Sequence, residues 1–166
     1  MRMFISLGSN IEPEANLARA LRELRHRFLV VAVSPAYRTA PVGDPDQPDF
    51  LNLAVELASD AHPLLVHREL RTIENLLGRR RDPARPSGPR TIDLDLVLAD
   101  GIAGRFGDLE LPSVLIERQA FVAVPLADLA PDLPHPVIGM SISALARAAV
   151  ARGLCPPERL PVELSP

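Results

Sequence analysis

Apolar positions recur along the chain in two periods. From Thr91 to Leu98 they alternate strictly. Ile92, Leu94, Leu96 and Leu98 fall on one face of a predicted strand over 90–98, and Thr91, Asp93, Asp95 and Val97 on the other. Phe50 to Leu57 alternates in the same way, with Leu51, Leu53, Val55 and Leu57 on one side and Phe50, Asn52, Ala54 and Glu56 on the other. Residues 3–7 read as a short buried strand stopped by Gly8-Ser9-Asn10, and the Val-rich run Leu29 to Tyr37 as a second, with Pro35 near its end. The longer period appears between them. Leu17, Leu21, Leu24 and Phe28 form the stripe of an amphipathic helix that starts near Pro13, and Val66, Leu70, Ile73 and Leu77 repeat that spacing from about Pro63 to Leu77, with Gly78 as the stop. Glu23 and Arg27 are an i,i+4 pair on the solvated side of the first helix.

The later elements are weaker. Asp100-Gly101 predicts a hairpin turn into a strand near 102–111, and residues 113–130 mix short helix and turn. Ser141 caps a last helix over about 142–151, closed by Gly153, and the residues from Pro156 onward are a poorly specified tail. Two stretches, 39–49 and 79–89, are long loops by composition. The order is therefore strand–helix–strand, twice. The connection between the second and third strands is too short for a crossover helix, which favours an antiparallel pair. Two such units make an α+β fold: a ferredoxin-like βαββαβ α/β sandwich with both helices on one face, extended by the hairpin and the C-terminal helix. A doubly wound sheet is the alternative. Residues 1–166 are expected to form one domain.

Composition narrows the function classes. Hydrophobic residues make up 47% of the chain and charged residues 23%, as in soluble globular proteins. The net charge of −3 gives no overall pull toward nucleic acid or acidic membranes, so neither is expected as a partner. The single cysteine, Cys155, cannot form an internal disulfide, and the apolar run at the N-terminus is too short for a signal peptide. No apolar stretch approaches the ~20 residues of a membrane span. A cytoplasmic protein, acting as a monomer, is the expectation. The 18 prolines cluster in connections, which predicts shaped loops.

The candidate chemistry sits on the 90–98 strand. Asp93 and Asp95 are two residues apart, about 7 Å along a strand, and point the same way. Two adjacent like charges need water or cations, and Mg²⁺ takes one or two carboxylates while completing its shell with waters and substrate phosphates. The preceding loop carries Arg79, Arg80, Arg81 and Arg85, and Arg90 follows it. Guanidiniums clamp phosphate oxygens bidentately, so carboxylates and arginines together make a phosphate-handling set. The chain has neither a G-x-x-x-x-G-K-[ST] nor a G-x-G-x-x-G motif, so a nucleotide would be held by another device. Phe50 and Asn52 share a strand face, and Phe121 is a second spare ring; two rings and an amide can sandwich and read a flat heterocycle, with core packing as the alternative.

These residues carry a resemblance. The segments Leu7-Gly8-Ser9-Asn10, Tyr37-Arg38-Thr39, Gln47-Pro48-Asp49-Phe50-Leu51-Asn52, Ile73-Glu74, Gly78-Arg79 and above all Gly88-Pro89-Arg90-Thr91-Ile92-Asp93-Leu94-Asp95 resemble the 6-hydroxymethyl-7,8-dihydropterin pyrophosphokinase family of folate biosynthesis, over roughly residues 3 to 135. The resemblance implies a ferredoxin-like fold and pyrophosphoryl transfer from ATP to a pterin hydroxymethyl group. It implies that Asp93 and Asp95 hold two Mg²⁺ ions and that Asp95 takes or orients the hydroxyl proton. Arg79 and Arg90 match family arginines beside the phosphates, Arg81 matches a loop arginine, and Glu74 and Leu96 match residues near the nucleotide. Phe50 and Phe121 would stack on the pterin, Asn52 would hydrogen-bond its edge, and Thr39 and Val42 would offer backbone groups.

The chain departs from the family pattern on the ATP side. Ser113 stands where a His is usual, and Gln119 where an Arg is usual, with Arg118 one place earlier as the substitute charge. His26, His62, His67 and His135 do not fill the gap by position, and Asp108 and Glu110 add negative charge there. Two other function classes remain open on the residues: a pterin- or nucleotide-binding relative with weak or lost catalysis, and an RNA-binding ferredoxin-like module using Arg80, Arg81 and Arg85, which would show steep salt dependence.

Overall fold

The computed structural model describes residues 1–80, 82–152 and 158–159. Its elements are β1 (Arg2–Ser9), α1 (Pro13–Arg27), β2 (Leu29–Val33), β3 (Tyr37–Thr39), β4 (Phe50–Ala58), α2 (Pro63–Leu76), β5 (Asp93–Ala99), β6 (Gly104–Phe106), β7 (Leu109–Leu111), α3 (Leu115–Arg118), α4 (Ala120–Leu129), α5 (Ile142–Ala151) and β8 (Glu158–Arg159). β1 pairs antiparallel with β4 on one side and β5 on the other, and the sheet order is β5-β1-β4-β3-β8, with β2 also on β4. Gly153, Cys155 and the tail residues other than Glu158 and Arg159 lie outside the described residues. Among the described residues no helix is long and apolar enough to cross a membrane.

The predicted second strand is two strands. β2 pairs with the far half of β4 and β3 with its first three residues. Pro35, which has no N–H to give, falls in the break. Ser34 bridges it: its N–H donates to the Ala54 carbonyl at 2.9 Å, and its Oγ accepts from the Ala54 N–H at 2.8 Å. β1 also runs on through Gly8 and Ser9, because Gly8 lies opposite both Asn52 and Asp93. β5 begins at Asp93, later than expected. Before it, Asn10 takes over the pairing: its N–H donates to the Arg90 carbonyl at 3.2 Å and its side chain accepts from the Arg90 N–H at 2.8 Å. The hairpin differs too. Asp100-Gly101 does turn the chain, but the strand it leads to, β6, pairs with β7 and not with β5.

The two faces of the sheet carry separate cores. Ile5, Leu7, Leu53, Val55, Leu94 and Leu96 pack with the stripes of α1 and α2, as the alternation requires. Placing both predicted helices on one face would leave the second open, and it is instead partly covered. Phe4, Val97 and Leu98 pack there with Ile116, Val122, Leu126, Ile142 and Leu145 of α3, α4 and α5. α4 has an uncharged run, Ala120 to Ala127, and a helix apolar nearly all round must be covered on more than one side. Alternation placed Leu98 on the same face as Ile92, Leu94 and Leu96. A register shift between Phe4 and Ile5 leaves Val97 as an extra residue on β5 and turns Leu98 to the other face. The helices of the second layer cover only part of that face, and the rest holds the site.

A hydrogen bond adds to the apolar packing between this layer and the sheet. The Tyr37 hydroxyl on β3 donates to Asp128 Oδ2 of α4 at 2.6 Å. Burial, and then this bond, push the phenol up to about 12. An unfolded tyrosine ionises near ~10, so between those values the folded state holds the extra proton and stability falls as pH rises. Tyr37 is the chain's single tyrosine and there is no tryptophan. Ultraviolet titration of the phenolate is therefore expected to give one midpoint near about 12, moving down toward ~10 in Asp128→Ala. A midpoint already at the ordinary value in the parent would contradict the contact.

Candidate active site

The site lies where β1, β4 and β5 run side by side and two long loops meet. The loops are held by side chains. Asn10 Nδ2 donates to Gln47 Oε1 at 2.9 Å and to the Pro48 carbonyl at 3.1 Å, and Gln47 Nε2 donates to the Ser87 carbonyl at 2.7 Å. Arg85 reaches Asp44 at 2.6 Å across the gap. Asn10 thereby ties the 39–49 loop to the backbone of Arg90, a role not read from the sequence although its segment was singled out.

One cavity beneath these loops is lined by Thr39, Val42, Phe50, Asn52, Arg90, Asp93, Asp95 and Phe121, with Gly8 in its floor. Eight of the residues singled out from sequence thus meet in one place. Asn52 is oriented by the bond from its Nδ2 to Thr39 Oγ1, 2.8 Å. The Arg90 guanidinium stands 5.7 Å from the centre of the Phe50 ring, within cation–π range. Arg79 lines a neighbouring groove with Arg80, Arg85 and Arg90. Asp95 and Leu96 line a third recess, on the far side of the carboxylates, with Arg71, His67, Asp108, Glu110 and Ser113. Arg118 is exposed at the end of α3 and lines none of the three. Arg81 lies outside the described residues. His67, set aside on position, does share the recess with Ser113, and its Nε2 is 3.3 Å from Asp108 Oδ2.

Glu74 organises the charges beneath. It is 1% exposed and lines none of these recesses. Its Oε1 accepts from the Leu94 N–H at 2.9 Å and from Arg79, and its Oε2 accepts from Arg71 at 3.0 Å. The end of α2 explains how Arg79 arrives there. Gly78 adopts φ +81°, which turns the chain back so that the Arg79 N–H reaches the Glu74 carbonyl at 3.0 Å. His67, Arg71 and Glu74 follow Val66, Leu70 and Ile73 of the apolar stripe, each by one residue. They form their own row at i, i+4, i+7 along the flank that meets β5, which is the signal that could have found Arg71.

Asp93 and Asp95 differ sharply. Asp93 accepts from both Arg79 and Arg90. Burial pushes its carboxyl up, but the two guanidiniums outweigh this and hold it below the ordinary carboxylate range. Asp95 has Arg71 at 4.0 Å. Burial, and then the Asp93 charge, push Asp95 up to about 6. Burial likewise pushes Glu74 up to about 7, against the Leu94 N–H and the pull of Arg79.

The model for 7,8-dihydro-6-hydroxymethylpterin-pyrophosphokinase (HPPK) matches residues 4–131. The chain belongs to the HPPK family. It is 39% identical over 163 residues to the 2-amino-4-hydroxy-6-hydroxymethyldihydropteridine pyrophosphokinase of Pseudomonas aeruginosa, covering 96% of this chain and 97% of that one. A Methylorubrum extorquens protein of the same name is 42% identical over 135 residues, covering 80% and 84% of the two chains. Among solved structures, wild-type Plasmodium falciparum HPPK-DHPS with STZ-DHP aligns with a TM-score of 0.69 at 16% identity over 91% of this chain. This HPPK chain spans 43% of that longer one, and the likeness is one of fold.

Proposed function

We propose that the protein transfers the pyrophosphoryl group of ATP to the hydroxymethyl oxygen of 6-hydroxymethyl-7,8-dihydropterin, giving AMP and the pterin diphosphate in folate biosynthesis. The observation that carries this is the shared cavity: a carboxylate pair, an arginine, two rings and an oriented amide face one space, with an arginine-lined groove beside it. Family membership and the names of the two bacterial relatives support the same reaction. The antiparallel order β5-β1-β4 followed by β2 and β3, with α1 and α2 on one face, supports a ferredoxin-like arrangement.

The residues then divide by chemistry. Phe50 and Phe121 stack on the pterin and Asn52 reads its edge, while Thr39 and Val42 border it. Arg79 and Arg90 hold phosphate oxygens and offset the negative charge that develops as the bond to AMP breaks. The pterin oxygen attacks the β-phosphorus in line, the bridging oxygen leaves with AMP, and Asp95 takes or orients the hydroxyl proton. Asp93 and Asp95 also fit magnesium. They are hard oxygen donors lining one cavity, and two carboxylates suit an ion that completes its shell with waters and phosphates. Two such ions, when bound, would supply Lewis-acid stabilisation of phosphate charge. Glu74, buried beneath the recesses, positions Arg79 and Leu94.

The test is AMP formation from ATP with the pterin and Mg²⁺, with and without a chelator. Pterin-dependent AMP that stops on chelation supports the reading. Pterin binding without AMP would favour a binding relative that has lost catalysis.

Gly8 gives a narrower prediction. A Cβ there would lie 2.9 Å from Asn52 Oδ1, too close for the amide to stay in place. Gly8→Ala is expected to raise the KM for pterin about tenfold, the worth of one good hydrogen bond, and leave that for ATP unchanged. Equal changes in both constants would contradict the assignment of Asn52.

A further inference from the structure

Arg71 is a cation that the reading above leaves without a task. It sits on the flank of α2 and lines the recess that holds Asp95, whereas Arg79 and Arg90 line the neighbouring groove. Arg79 and Arg90 both donate to Asp93 and are largely covered, with 9% and 22% of their side chains exposed. Arg71 is different. Its Nη1 is anchored on Glu74 Oε2 at 3.0 Å, while its Nη2 stands 4.0 Å from Asp95 Oδ1, at the outer limit of an ion pair and beyond a hydrogen bond. The side chain is 34% exposed and lines the recess that also contains Asp95 and Ser113. One edge of the fork is fixed and the other faces open space beside the carboxylate that the reaction uses.

A purely structural role does not account for this. The other oxygen of Glu74 is already engaged by the Leu94 N–H and by Arg79, so the anchor of β5 does not depend on Arg71. Nor is Arg71 a close partner of Asp95. A phosphate chain laid across Asp93 and Asp95 would meet Arg79 and Arg90 on one side, and on the other would meet Arg71. Asp108 and Glu110, also in this recess, would repel it, which makes a cation on that wall more necessary.

We infer that Arg71 holds the polyphosphate of the nucleotide from the α2 side, making it a second clamp opposite Arg79 and Arg90. The inference rests on the pyrophosphokinase reading of this site. The test compares the full-length protein with Arg71→Gln and Arg71→Lys. Gln keeps a donor for Glu74 and removes the charge; Lys keeps the charge and loses the fork. Steady-state KM for ATP and for pterin would be measured in excess Mg²⁺, with calorimetric binding of a non-hydrolysable ATP analogue beside them. Arg71→Gln is expected to weaken ATP at least about tenfold in both measurements and to leave pterin within twofold, with Lys restoring part of the loss. Unchanged ATP constants in Arg71→Gln would overturn the inference. So would equal losses for ATP and pterin, because damage passed through Glu74 and Arg79 to Asp93 would reach the pterin cavity too. If the parent forms no AMP, the pyrophosphokinase reading fails on its own, and the binding series still decides whether Arg71 meets a polyphosphate.

Discussion

Asp95→Asn is expected to cut kcat for pterin-dependent AMP formation by at least about 10³-fold, and to yield a protein at least as stable as the parent. The two effects have one cause. Asp95 is held beside Asp93 in a partly buried position, and burial and then the Asp93 charge push its carboxyl up to about 6. An unfolded aspartate titrates near ~3.9, so the unfolded chain releases its proton first. Stability then falls as pH rises from about 4 to about 6, and at neutral pH the folded state bears the full cost of the ionised carboxylate. Asparagine removes that charge and keeps the shape. Because 36% of the side chain is open to solvent, water screens much of the repulsion, and the gain is set at about 1 kcal/mol. Chemical denaturation at pH 7 and at pH 4 measures it: the difference between variant and parent should shrink at the lower pH. A variant less stable than the parent would show that the Asp95 charge is favourable in the folded state, and one that retains a tenth of the activity would remove Asp95 from the reaction.

This site was legible because its parts lie on regular elements. Strict alternation from Ile92 to Leu96 and from Phe50 to Leu57 put Asp93, Asp95, Phe50 and Asn52 on one face before any contact was known, and those four side chains do meet in one cavity. Periodicity stopped being informative where regularity broke. The extra residue at Val97 turns Leu98 over, and a two-residue period carries no sign of a bulge in the neighbouring pairing. Glu74 came from the resemblance and not from periodicity, and Arg71 was not singled out; both stand one residue off the apolar stripe of α2, and what brings them to the carboxylate pair is the approach of β5, a tertiary fact. The second helical layer was legible in principle. The uncharged run through Phe121, Val122 and Leu126 has no polar side to show to water, and that alone calls for a covered position over the sheet. Arg118, offered as a substitute charge one place before Gln119, is exposed at the end of α3, where the helix stops and Gln119 is extended, and it lines none of the three recesses.

Glu74→Ala should be the most damaging single change to the fold of the site, costing about 3–5 kcal/mol. The alanine leaves the Leu94 N–H, which donates to Oε1 at 2.9 Å, without that acceptor in the middle of the core. It also takes one of the two carboxylates from Arg79, whose side chain is only 9% exposed and keeps Asp93 alone. The orphaned Leu94 N–H and the vacated volume are the expensive part, because Arg79 keeps Asp93, and glutamine is therefore the informative control. Glu74→Gln keeps the volume and an acceptor for Leu94 but gives up the negative charge. Burial already pushes the Glu74 carboxyl up to about 7, so the ionised form is not strongly favoured there and its replacement by a neutral group should cost well under half of the alanine loss. Activity should follow a different order. Both variants release Arg79 and Arg71 from their shared anchor, so the KM for ATP should rise in both, whereas the pterin constant should move only in alanine, where the displaced β5 backbone shifts Asp93. Denaturation midpoints with paired KM values for Ala and Gln test this directly. If the two variants lose the same stability, the cost lies in the charge and not in the Leu94 bond, and the positioning role assigned to Glu74 would fall.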